Sequence, residues 1–169
     1  MRSGFGAGVA LIAAVALMSG SASAETATDD LTVSITIENS CAVDVTGNVE
    51  FGAKGSLIGD ITAEGEITVN CTQDHPYDVA LNAGATDGAT VAARLLVGTG
   101  VNTETIKYAL YKDDTYSTVW GETTGEGGDT VSGIGTGVGV AIPVYAKIEQ
   151  TNTPPADTYS DTVTVTVSY

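Results

Sequence analysis

Residues 29–41 read DDLTVSITIENSC. Leu31, Val33, Ile35 and Ile37 alternate with Thr32, Ser34, Thr36 and Glu38, the period-2 pattern of a strand with one apolar face. The stretch precedes Cys41, and no tight-turn signal ties it to a following strand. A second stretch of the same kind closes the sequence. In YSDTVTVTVSY (159–169), Val163, Val165, Val167 and Tyr169 share one face and Thr162, Thr164, Thr166 and Ser168 the other. The two most regular strands thus stand at the two ends of the chain. A long aliphatic edge strand left unpaired is an aggregation hazard, so something is expected to cover it. The fold turns on whether the first strand belongs to its own sheet or to another molecule's.

The opening residues have a different character. Arg2 precedes an apolar run from Phe5 to Leu17, and the small-residue pattern Ala22-Ser23-Ala24 follows. This is the form of a secretory signal peptide over residues 1–24, cleaved before Glu25, with an apolar core too short to span a bilayer. Export to the periplasm and no membrane insertion are the expectations. Residues 25–169 then make one domain by size. Without Arg2 that part keeps 5 basic residues against 21 acidic, a net charge of −16. Such a balance repels nucleic acid and anionic membrane surfaces.

Past residue 24 helix signals are nearly absent, and Thr, Val and Gly dominate. CAVDVTGNVEFG (41–52) reads as a strand, a Gly-Asn turn and a second short strand through Val49 and Phe51. Strands follow at Glu66–Cys71, with Ile67, Val69 and Cys71 on one face, and at PYDVALNAG (76–84), with Tyr77, Val79 and Leu81 alternating. ARLLVG (93–98) fits a short strand or one helical turn. TIKYALYKDD (105–114) points Ile106, Tyr108 and Leu110 inward and Lys107 outward. Trp120 precedes a long Gly-rich connection, and Pro143 in VGVAIPVYAKIE (138–149) implies an edge position or a bulge. Short alternating strands spaced by turn signals predict an all-β sandwich or barrel.

Chemistry-bearing constellations are thin. His75 is the only histidine, in the loop TQDHPYD, and no G-x-S-x-G stretch accompanies it. GIGTGVG (133–139) lies between β segments with no helix to offer a phosphate, so it reads as a connection. The acidic runs at Asp113-Asp114 and in GETTGEGGD match no calcium-loop spacing. The chain is therefore expected not to be an enzyme and to need no cofactor or metal. In an exported chain Cys41 and Cys71 are most simply a disulfide. Closing that interval stabilises by about 3–4 kcal/mol in the chain-entropy model.

Four stretches together resemble the spore coat protein U domain, the subunit family of archaic, Csu-type chaperone–usher pili. They are SITIENSCAV (34–43), ITVNCTQDHPYDVALNAG (67–84), YALYKDD with VWG (108–114, 119–121) and PVYAKI with TYSDTVTVTVSY (143–148, 158–169). The last is the most specific. Ala146-Lys147 stands where the family often has Gly-Arg, and Asp157-Thr158 where it favours Gly before Tyr-Ser-Asp.

The resemblance implies an incomplete immunoglobulin-like sandwich, residues 41–169, completed by a donor strand from a neighbouring subunit. Residues 25–40 would be the donor segment, with Leu31, Val33, Ile35 and Ile37 entering the neighbour's groove. Val163, Val165, Val167 and Tyr169 on the C-terminal strand would help to form the acceptor groove. The Cys41–Cys71 disulfide would staple the first strand of the domain to the end of the second. The implied partners are identical subunits in a homopolymeric fibre, with a periplasmic chaperone and an outer-membrane usher during assembly. The product would be a surface fimbrium serving adhesion and biofilm formation. A strand that completes its own domain is the ordinary alternative for LTVSITIE. The matching functional alternative is a secreted, self-contained binding module for a carbohydrate or surface. That module would show an exposed aromatic cluster, whereas the tyrosines are scattered along the sequence. A small hydrolase relying on His75 is the third.

Overall fold

The computed structural model describes residues 23–169. The expected leader lies outside the described residues up to Ala22. Backbone contacts separate the residues through Ile35 from the unit Thr36–Tyr169. In the first, residues 23–35 take no secondary structure, and Leu31, Val33 and Ile35 are exposed.

The second unit is all-β among the described residues, with strands β1 (Cys41–Gly47), β2 (Thr62–Cys71), β3 (Pro76–Leu81), β4 (Arg94–Gly98) and β5 (Thr105–Tyr111). β6 (Val131–Ile134), β7 (Val140–Ile148), β8 (Tyr159–Ser160) and β9 (Val165–Ser168) follow. A six-stranded sheet has the order β1-β2-β7-β5-β4-β8, and a three-stranded sheet the order β6-β3-β9. Every pairing is antiparallel.

Period-2 alternation decides which side chains meet between the sheets. Ile67 and Val69 of β2, Ile106, Tyr108 and Leu110 of β5, and Val144, Ala146 and Ile148 of β7 are buried from the large sheet. Tyr77, Val79 and Leu81 of β3 answer from the small one, and all join a single core cluster. Trp120, fully buried, joins the layers: its backbone N–H donates to Leu110 O (2.8 Å) on β5 and its Nε1 to Val79 O (2.8 Å) on β3.

Several sequence expectations shift. ARLLVG is a strand, not a helical turn. The Gly-rich connection after Trp120 contains β6, whose four residues VSGI are too short, and interrupted by Gly133, to show a strand pattern. Val49 and Phe51, expected in a strand, pack half-buried against the core but join no ladder. The terminal strand expected at Thr162–Tyr169 narrows to Val165–Ser168, paired with β3 in the small sheet, while Tyr159–Ser160 before it pair with β4 in the large one. Residues 161–164 carry the chain across. Pro143 sits on an interior strand, yet β5 pairs with β7 only at Tyr145–Ile148. Opposite Glu66 of β2, Pro143 therefore has an open side, so its missing N–H breaks no ladder there.

Arg94, the single arginine after the leader, is fully buried. Its Nε donates to Asn82 O (2.8 Å), Nη1 to Val91 O (2.9 Å), and Nη2 to both Leu81 O and Trp120 O (2.8 Å each). Burial lowers its pKa, while Tyr108 and Asp161 oppose that shift. The guanidinium fork thus satisfies carbonyls that would otherwise be orphaned where β3 ends. Replacing Arg94 by Met leaves four backbone acceptors, two of them in buried hydrogen bonds, without this donor. Urea denaturation is expected to show a loss of about 3 kcal/mol or more, and an unchanged midpoint would contradict this role.

Candidate functional site

The small sheet does not cover the large one. Between them lies an open cleft of about 1020 Å³. Its floor is apolar and comes from both sheets: Ile67, Leu96, Ile106, Tyr108, Leu110, Val144 and Ile148 from the large, Leu81 and Val165 from the small. Val163 lines it from the crossover, and Val49, Phe51 and Leu57 from the irregular segment after β1. Phe51 meets the Tyr108 ring edge to face, with centroids 6.5 Å apart. On the small sheet β9 is an edge strand, paired with β3 alone. On the large sheet β1 is likewise an edge, paired with β2 alone.

The wall at the crossover is fixed by polar contacts. The Asp161 carboxylate accepts from Ala85 N (2.9 Å), from Thr162 N (2.8 Å) and from the Tyr108 hydroxyl (2.7 Å). Gly84 has a φ of +93°, and a Cβ there would run into the same carboxylate, so only glycine fits. Asn82 Oδ1 accepts from Gly84 N (3.0 Å) and Thr164 N (2.9 Å). Its backbone carbonyl accepts from Arg94. The LNAG turn and the YSDT segment are therefore one interlocked unit. Burial and the hydrogen bond to Asp161 push the Tyr108 hydroxyl far above its ordinary range. Burial and the bond to Glu149 Oε1 (2.6 Å) raise Tyr111 to about 12.

Of the residues singled out in the sequence, Val163 and Val165 line the cleft. Val167 is half-buried against the core but is not among the lining residues, and Tyr169 is 58 % exposed with its ring edge-on to His75. Leu31, Val33, Ile35 and Ile37 are 89, 86, 84 and 72 % exposed, a run of large aliphatic side chains without cover. Cys41 and Cys71 form a disulfide, opposite each other at the first rung of the β1–β2 ladder. The sequence reading missed Arg94, Asn82, Gly84 and Asp161. Its one available signal was a lone arginine inside an apolar run.

Three tyrosines are not scattered in space. Tyr116 stands between Tyr111 and Tyr145, with centroids 5.6 and 6.5 Å away, and Lys147 Nζ lies 5.7 Å from its ring. Tyr111 is buried and Lys147 is paired with Asp60 (3.0 Å), so the cluster is largely filled by its own members. Among the described residues no group of three His, Cys, Asp or Glu side chains is placed to hold a metal ion.

Residues 27–166 match the model of the Spore Coat Protein U domain, and the chain belongs to that family. It is 30% identical over 173 residues to "Protein U" of Myxococcus xanthus, covering 95% of each chain. Among solved structures it resembles a chain in the chaperone–tip adhesion subunit pre-assembly complex CsuC–CsuE, from the archaic chaperone–usher Csu pili of Acinetobacter baumannii. There the TM-score is 0.56 at 24% identity, over 79% of this chain and 40% of that one. The fold is accordingly an incomplete immunoglobulin-like sandwich.

The two shifted tyrosines give a pH prediction. An acid whose folded pKa lies above its unfolded value of about 10 stabilises the fold through its neutral form. That contribution is complete below pH 10 and fades as pH rises towards 12 for Tyr111 and beyond for Tyr108. Ultraviolet titration of the folded protein is expected to show these two ionising after ordinary tyrosines, with Tyr111→Phe removing the step near 12. Ionisation of every tyrosine near pH 10 before unfolding would refute it.

Proposed function

We propose that this chain is a structural subunit of a surface pilus, polymerised by donor-strand exchange along the chaperone–usher route. The observation that carries the proposal is the unfilled apolar cleft, in a chain that also exposes four alternating aliphatic side chains near its N-terminus. Residues 1–24 would be the export leader, 25–40 the donor segment and 41–169 the acceptor domain. Leu31 to Ile37 span about 20 Å as an extended strand. Every second side chain would point into a neighbour's cleft, and the other face of Thr and Ser would remain wet.

The energetics favour such an exchange. Complete burial of the four side chains contributes about 6–12 kcal/mol by transfer estimates, before ordering and association costs. Main-chain hydrogen bonds along the free edge of β9 would add register and remove an aggregation-prone edge. Val163 and Val165 would meet the entering strand, and Val167 would hold the edge against the core. In the periplasm a chaperone would cover the cleft first, and an outer-membrane usher would pass the subunit to the next. The similar solved structure, a chaperone–tip adhesion subunit pre-assembly complex, supports that step. The end product would be a homopolymeric fimbrium on the cell surface, serving adhesion and biofilm formation. The family and fold are those of structural subunits rather than enzymes, and the proposed activity is assembly.

The test uses the mature chain with Val33→Asp and Ile35→Asp, so that its own segment cannot serve as a donor. A synthetic peptide of residues 27–40 is expected to raise its melting midpoint by 10 °C or more, on the order of 2–4 kcal/mol at saturating peptide. The same peptide carrying both Asp changes should do nothing. A midpoint indifferent to the wild-type peptide would mean that the cleft accepts no donor, and the pilin mechanism would fall.

A further inference from the structure

The donor segment leaves its domain at a particular rung. β1 is the outer strand of the six-stranded sheet, held by β2 alone. Its first residue, Cys41, faces Cys71 in the ladder and is bonded to it. One step outward, Thr72 N donates to Ser40 O (2.9 Å) and Ser40 N to Thr72 Oγ1 (3.0 Å). Thr72 Oγ1 also lies 3.3 Å from Glu38 O. Past Cys71 only Thr72–His75 intervene before β3 begins at Pro76. β3 pairs with β9, whose opposite edge is free.

These connections define a short path from the outgoing segment to the incoming one. Tension at Ser40 passes through Cys41 and the disulfide to Cys71, then through four residues to β3, and across one ladder to β9. Without the disulfide the same tension would fall on β1 at its first rung. An edge strand loaded at its end opens one rung at a time, and each rung holds by hydrogen bonds of small net strength. We infer that the Cys41–Cys71 disulfide is a mechanical shunt, delivering fibre tension past the end of β2 to the β3–β9 ladder and sparing the edge strand β1. The inference rests on the donor-strand reading above and adds to it how the subunit carries load.

The experiment loads one acceptor and one donor. The mature Val33→Asp, Ile35→Asp chain carries a handle at residue 25, and a bound peptide of residues 25–40 carries one at its C-terminal end. Optical tweezers pull the two apart. With the disulfide intact, the peptide is expected to leave in a single rupture with no earlier lengthening. After reduction, or with Cys41→Ser and Cys71→Ser, a step of up to about 100 Å should precede rupture as the 30-residue interval pays out. Thr72→Ala keeps the disulfide but loses the side-chain hydrogen bond to Ser40, and should retain the single rupture. This variant serves even if the reduced chain does not hold its fold. Identical single ruptures with and without the disulfide would overturn the shunt, as would an early step in oxidised Thr72→Ala. If no form binds the peptide, the donor-strand reading fails and takes the shunt with it.

Discussion

The fold depends on how one buried cation holds the place where strands change sheets. β3 ends, β4 begins and Trp120 crosses between layers within reach of the Arg94 guanidinium, which binds carbonyls of Leu81, Asn82, Val91 and Trp120. An arginine in a β-sandwich core is ordinarily unfavourable, because desolvation of the charge outweighs most single contacts. Here four well-placed acceptors replace its hydration, and the planar fork reaches all of them from one position. Asn82 and Asp161 extend the grip to the final segment through Thr164 N, Ala85 N and the Tyr108 hydroxyl. The crossover from β8 to β9 is therefore fixed by polar geometry. That leaves the apolar side chains on both sides of the cleft free to present a surface instead of closing over one another.

An open cleft of this size in a small domain is thermodynamically awkward. Ile67, Leu81, Ile106, Leu110, Val144 and Ile148 reach the core yet also line the opening. Part of the area that a complete sandwich would bury remains available. The polar interlock at Arg94 and Asp161 beside the cleft and the disulfide between β1 and β2 compensate by restraining the chain. Under the donor-strand proposal, a domain stabilised by such restraints, more than by closure of its core, would gain from a visiting strand.

Much of this was legible in the residues. Alternation at Ile67–Cys71, Tyr77–Leu81 and Ile106–Leu110 gave the strands and their inward faces, because period 2 admits only one burial pattern. The resemblance carried by YSDTVTVTVSY led to the incomplete sandwich. Other features lay beyond local pattern. The strand read from Thr162 to Tyr169 begins only at Val165, because the chain is first held in the crossover by the Asp161 interlock, whose partners are some 75 residues earlier in the chain. VEF after the Gly-Asn turn has strand composition but no neighbour to pair with. Pro143 escapes the rule against interior prolines only because β5 stops at the rung opposite Tyr145. The tyrosine cluster, absent from any sequence spacing, arises from a cross-strand pair, Tyr111 opposite Tyr145, and a loop residue that folds between them.

Charge sets the remaining constraint on any self-association. Of the five basic residues after the leader, Arg94 is buried, Lys147 is paired with Asp60, and Lys112 Nζ faces the Thr130 carbonyl. Little positive charge remains to attract a second copy that is itself strongly acidic. The segment around the exposed aliphatic run carries Asp29, Asp30 and Glu38, and the cleft rim carries Glu50, Asp157 and Asp161 with only Lys54 in opposition. Like charges on both partners slow encounter and weaken it at low ionic strength, while salt screens them beyond about 10 Å at 0.1 M. Any association of this domain with its own kind must then rest on apolar burial and main-chain hydrogen bonds, which salt does not weaken. Under the donor-strand proposal, specificity would come from the spacing of Leu31, Val33, Ile35 and Ile37 against the cleft floor, and the acidic surface would keep free copies apart until a matching strand arrives.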